Sequence, residues 1–147
     1  MGKLTGYFTI TWLIILIVSF LVSRFLLIQL LGLDDDSNEW WMAIITGISF
    51  IYSLKFVFFL TLSSVTIFLN LFKKIRNNWF LSLLTYSLIP LLTFSGMIIG
   101  DMIENGNSFE AIKSIAKFSG SLVLPHLACT LVCFLHFRKL MGNEKFN

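Results

Sequence analysis

Tyr7 to Leu31 reads YFTITWLIILIVSFLVSRFLLIQLL, a run in which Arg24 is the one charged side chain. It exceeds the ~7–15 apolar residues at the centre of a secretory signal, and no small-x-small cleavage site follows it, so it is expected to persist as an anchor. About 20 helical residues cross the ~30 Å hydrocarbon core of a bilayer, and the run is long enough to do so. Barrel strands alternate polar and apolar residues over ~10 positions. Here the apolar residues lie on all sides, which suits a helix, whose backbone groups are satisfied internally.

Three further runs share this character: Trp41 to Phe72, Trp79 to Gly100 and Ile115 to Phe137. The reading is therefore an all-α polytopic membrane protein, with four transmembrane helices in an antiparallel bundle and a single domain over residues 1–147. Composition agrees: 56% of residues are hydrophobic, 13% are charged and sixteen are phenylalanine, and the mean hydropathy is +0.85. A soluble domain of this size cannot hide so much apolar surface.

Charge sets the expected orientation. Lys3 precedes the first span, Lys73, Lys74 and Arg76 separate the second from the third, and Arg138, Lys139 and Lys145 follow the fourth. The other two turns are acidic, with Asp34, Asp35, Asp36 and Glu39 in one, and Asp101, Glu104 and Glu110 outweighing Lys113 in the other. Lys and Arg in short loops mark the cytoplasmic side, so both termini are expected there. Trp40, Trp41 and Trp79 sit at span ends, where indoles favour the headgroup layer. At 1.5 Å per residue the second span is about 47 Å long, so it is expected to tilt or to project at one end. Asn107-Ser108-Phe109-Glu110 has the spacing of a capping box before the fourth span.

Small residues recur along the later spans. Ser82, Thr93, Gly96 and Gly100 share a face of the third, with Gly96 and Gly100 forming GxxxG, while Ser114, Ser121 and Ala128 do so on the fourth. Such faces let backbones approach closely in lipid, within the bundle or against a partner helix, and homo-oligomerisation stays open. Pro90 and Pro125 each remove an intrahelical bond near mid-span, so kinks are expected there.

Arg24 and Lys55 are the most informative residues, because a charge at mid-span costs about 2.5–3.5 kcal/mol on insertion scales. One reading pairs them with acids such as Asp101 or Glu104, or with a carboxylate on a foreign helix, and Lys117 could join. The other lets them snorkel to the headgroups. Lys55 lies opposite the small face formed by Thr46, Ser53 and Ser64, so it looks away if that face makes the internal contact.

His126, Cys129, Cys133 and His136 form a stripe spanning ~15 Å along one helix, too far for one metal ion, so no metal or other cofactor is expected. The paired cysteines imply no disulfide framework. The Asp34–Glu39 cluster lacks the glycine and distant glutamate of a calcium loop. It reads as a solvated turn, or as a surface for a basic partner. No GxSxG, P-loop, HExxH or mid-span carboxylate pair is present, so no enzyme is expected. The basic turns are too short to suggest nucleic-acid binding.

The expected partners are the lipid bilayer and another membrane-inserted protein. The alternative is a small subunit of a larger complex, or a channel or transporter component. The four spans, the cytoplasmic ends and the segment Lys73-Lys74-Ile75-Arg76-Asn77-Asn78 before a Pro90-containing helix resemble the immunity proteins that protect bacteria against pore-forming colicins. The resemblance implies an inner-membrane protein that blocks a pore-forming toxin within the bilayer, without catalysis. Arg24 and Lys55 would then be candidate contacts.

The charge pattern is tested by cysteine labelling. With Cys129 and Cys133 replaced, Asp34→Cys and Lys73→Cys should react with an impermeant maleimide from opposite sides of the membrane. Reaction from the same side would overturn the orientation.

Overall fold

Between Gly6 and Leu31 there is neither glycine nor proline to interrupt helical hydrogen bonding, and the segment folds as one long helix, α1 (Gly2–Leu31). The structure, a computed structural model, describes residues 2–31, 40–105 and 109–142. Asp34, Asp35, Asp36, Glu39, Asn107, Ser108 and Lys145 lie outside the described residues, as do the side chains of Asp101 and Glu104. The second span is α2 (Trp40–Ser63), continued by a 3-10 segment, Ser64–Leu71. A one-turn helix, α3 (Lys73–Asn77), fills the basic turn. The third and fourth spans are α4 (Trp79–Asn105) and α5 (Phe109–Gly142).

The chain is all-α, with four helices long and apolar enough to cross a membrane: Gly2–Leu30, Ala43–Leu71, Trp79–Gly100 and Ala116–Gly142. They pack as a bundle in which α5 is central, flanked by α1 and α4. Of its span 44% is buried, against 22%, 22% and 17% for the others in chain order, so α5 is the most enclosed of the four.

The bundle is polar inside and greasy outside. Along α1 the buried residues are Phe8, Thr11, Ile15, Ser19, Ser23 and Leu27, at helical spacing, while Ile10, Ile17, Leu21 and Phe25 are more than half exposed. Ser53, Thr61, Ser64, Ser82, Ser119 and Thr130 are likewise buried. Lipid tails are as apolar as leucine, so burying leucine between helices gains little there. Small hydroxyl residues allow close approach and interhelical hydrogen bonds instead. The aromatic part of the core gathers at the basic end, where the Phe8 and Phe137 rings lie 5.1 Å apart and Phe134 packs 5.6 Å from both Tyr86 and Trp79.

Sequence alone predicts one continuous helix over the second span, yet its last eight residues tighten into a 3-10 helix. Runs of more than 3–4 such residues are uncommon and need outside support. The support is visible in which residues turn inward: Ser64, Ile67 and Asn70. Three residues per turn stacks positions i and i+3 on one line, whereas α geometry would rotate Asn70 about 120° away from Ser64. With the tightening, Ser64 reaches His126 Nε2 on α5 at 2.8 Å, and Asn70 reaches α4. There Asn70 Nδ2 donates to Thr85 Oγ1 (2.6 Å), Asn70 Oδ1 accepts from Ser82 Oγ (2.6 Å), and Thr66 Oγ1 donates to the Thr85 carbonyl (2.8 Å). Asn78 caps α4, its Oδ1 accepting from the Leu81 amide at 3.1 Å.

The second and third spans therefore join at the basic end, while α2 itself scarcely meets α4. Both prolines are buried within unbroken helices. Near Pro125 the Ser23 hydroxyl donates to the Leu122 carbonyl at 3.1 Å, lending α5 a bond from a neighbouring helix.

Interhelical side-chain hydrogen bonds in membranes average ~0.6 and reach ~1.7 kcal/mol, so Asn70→Leu, which removes two, should lower stability by about 1–2 kcal/mol. Equilibrium unfolding by SDS titration in mixed micelles would measure it. Adding Ser82→Ala and Thr85→Val to the same protein should recover most of the loss, because no buried group is then left without its partner.

Candidate functional site

The structure does not bring Arg24, Lys55 and Lys117 together. Arg24 is half-buried between α1 and α2. Its Nη1 donates to Ser49 Oγ at 2.7 Å and its Nη2 to the Thr46 carbonyl at 3.2 Å, while the guanidinium lies 5.6 Å from the centre of the Phe50 ring. Ser49 Oγ donates onward to the Thr46 carbonyl at 2.9 Å. The charge is thus held by a hydroxyl, a carbonyl and a ring face, which explains how α1 carries it at this depth. Among the described residues Arg24 acts as a tie between the first two spans.

Lys55 sits on the opposite face of α2 from Ser53, Val57, Leu60 and Ser64, all buried, and is itself exposed. It has no hydrogen-bond or ion-pair partner among the described residues. Its span runs from Ala43 to Leu71, which places Lys55 near the middle, between exposed Ile51, Phe58 and Phe59. Lys117 is exposed at the rim of a groove between α1 and α5, with Leu26, Gln29, Leu124 and Gly120 around it.

The small residues divide. Ser121 is buried, its hydroxyl bonded to the Phe118 carbonyl at 2.7 Å, but Ser114 and Ala128 on the same helix are exposed. On α4, Ser82 is buried in the Asn70 clasp, whereas Gly96 is exposed, and a Cβ on Gly96 or Gly100 would meet no atom within 4 Å. The GxxxG face is thus not turned onto another described helix.

The histidine and cysteine stripe also separates. His136 bonds Tyr7 Oη at 3.1 Å, while His126 points to Ser64, and Cys129 and Cys133 are half-buried free thiols. Ser64 and His126 meet the distance requirement for a nucleophile and its base. Among the described residues, however, no third group orients the imidazole. Ser64 Oγ donates to the Leu60 carbonyl at 3.0 Å as well as bonding His126 Nε2, and Nδ1 is buried with no partner among the described residues. With Ser64 1% and His126 0% exposed, no substrate reaches the pair. It is a packing bond between α5 and the second span.

Sequence reasoning missed Ser49 as the partner of Arg24, and the Asn70 clasp. Thr46, Ser49 and Ser53 follow one another at helical spacing, and Asn70 is the one amide in its span; both were available signals. A double-mutant cycle with Arg24→Met and Ser49→Ala, read by unfolding in mixed micelles, should show a coupling of about 1 kcal/mol. Additive losses would remove Arg24 as the tie between α1 and α2. Compared with known proteins, the chain matches no family model, no curated protein and no solved structure.

Proposed function

We propose that this four-span membrane protein is a non-catalytic binding protein whose partner is another membrane-inserted protein, and that its role is to neutralise a pore-forming toxin in the bacterial inner membrane. The observation that carries the reading is Lys55, a cation near mid-span, exposed on the lipid side and without a partner among the described residues. Such a charge costs about 2.5–3.5 kcal/mol at a helix centre. Unlike Arg24, it makes no contact that would explain it as a structural tie. A carboxylate on an incoming toxin helix would offset that cost, and the surrounding Ile51, Phe58 and Phe59 offer the apolar contacts that helix association requires.

In this proposal both termini are cytoplasmic and the acidic turns face outward. The layout shared with immunity proteins against pore-forming colicins supports the toxin reading. The buried Ser64–His126 bond, in which neither group is accessible, supports a role without catalysis.

The test is a survival assay in cells challenged with a pore-forming toxin encoded beside this protein. The wild-type chain should protect, and Lys55→Met should lower protection by tenfold or more, while membrane levels and thermal stability hold or rise. Survival of cells lacking the protein would overturn the toxin reading. Equal protection by Lys55→Met would remove Lys55 as the contact.

A further inference from the structure

The geometry points to a second binding site at the basic end of the bundle: a pocket that takes the phosphate of an anionic phospholipid. The pocket, about 450 Å3 in volume, is lined by Arg76, Asn77, Arg138, Met141 and Gly142, and so lies between the α3 turn and the end of α5. Arg138 Nη1 donates to the Arg76 carbonyl at 2.7 Å, which docks the fourth span on the turn and fixes the Arg138 side chain beside the pocket. Arg76 is half-buried, and its Nε is fully enclosed with no hydrogen-bond partner among the described residues.

Two guanidinium groups thus line one pocket, and among the described residues no carboxylate faces them. Like charges held together repel, and an enclosed N–H without an acceptor is costly. One phosphodiester in the pocket would offset the repulsion between the two guanidinium groups. Its two anionic oxygens match the donor fork of an arginine, and two forks can hold it from two sides.

Depth selects the source of that phosphate. Trp79, which opens α4 beside the turn, is more than half exposed, and exposed indoles of this kind favour the headgroup layer. Lipid phosphates occupy the same layer, and basic pockets between transmembrane helices bind anionic headgroups. Met141 supplies an apolar wall for the glycerol portion. Lys73, Lys74 and Lys139 are exposed nearby and strengthen the local field without lining the pocket. The site is independent of the toxin reading, since it lies at the far end of the second span from the acidic turn.

Native mass spectrometry of the full chain, released from detergent micelles carrying equal phosphatidylglycerol and phosphatidylcholine, tests the site. The wild type should retain phosphatidylglycerol selectively. A direct hydrogen bond to the phosphate contributes about 1 kcal/mol net, or about fivefold in affinity, which a lysine outside the pocket does not supply. Arg76→Gln should therefore lower retention about fivefold, and Arg76→Gln with Arg138→Gln about 25-fold. Lys73→Gln with Lys74→Gln should lose less than Arg76→Gln alone. Arg76→Gln keeps the backbone carbonyl that holds Arg138, so it carries the test even if the double variant unfolds.

Three results would overturn the assignment. Equal loss in the lysine and arginine variants would mean diffuse surface attraction. Displacement of the lipid by inorganic phosphate at matched concentration would make the site one for free anions. A gain of fivefold or more in Glu144→Gln would identify that carboxylate, which lies outside the described residues, as the natural occupant.

Discussion

Lipid offers no hydrophobic force to press helices together, and this constraint accounts for the inverted layout of the bundle. What holds the spans is close contact at small hydroxyl residues, reinforced by a few well-placed hydrogen bonds. Ser64 to His126 and Asn70 to Ser82 and Thr85 are the strongest cases, because each joins the second span to a different neighbour. Both depend on the tightened geometry of Ser64–Leu71, which lines up the two polar side chains on one edge. The local backbone is thus set by what it has to touch.

That dependence marks the limit of what the sequence could tell. The spans were legible because an apolar run of sufficient length has one outcome in a bilayer. Their ends were less so: α1 begins at Gly2 and α5 reaches Gly142, each several residues beyond the apolar run that announces it. The 3-10 segment was not legible, since nothing in Ser64-Val65-Thr66-Ile67 forbids an α-helix. Its cause lies in His126 and Thr85, which are distant in sequence. The partner of Arg24 was hidden for the same reason. Ser49 lies beyond the acidic turn, and a hydroxyl and a carbonyl are less conspicuous matches for a cation than carboxylates are.

The expectation for Gly96 and Gly100 shows a different gap. A GxxxG pattern says that a backbone can be approached, not that the approach happens within the same chain. Here α4 is covered at its first turns by the 3-10 segment and along one side by α5, and Gly96 falls outside both contacts. The three cations divide in a comparable way: Arg24 serves the bundle, Lys117 edges a groove between α1 and α5, and Lys55 faces outward. Similar residues in similar settings thus have unlike roles, and only the neighbours distinguish them.

The central position of α5 has a consequence for biogenesis. A ribosome delivers the spans in order, and the one that α1 and α4 pack on is the last of the four to be translated. The Arg24 tie and the Asn70 clasp join the first three spans without it, but the extensive packing of α1 and α4 has to wait for the fourth span. The contacts that enclose the bundle most are therefore the last to become available.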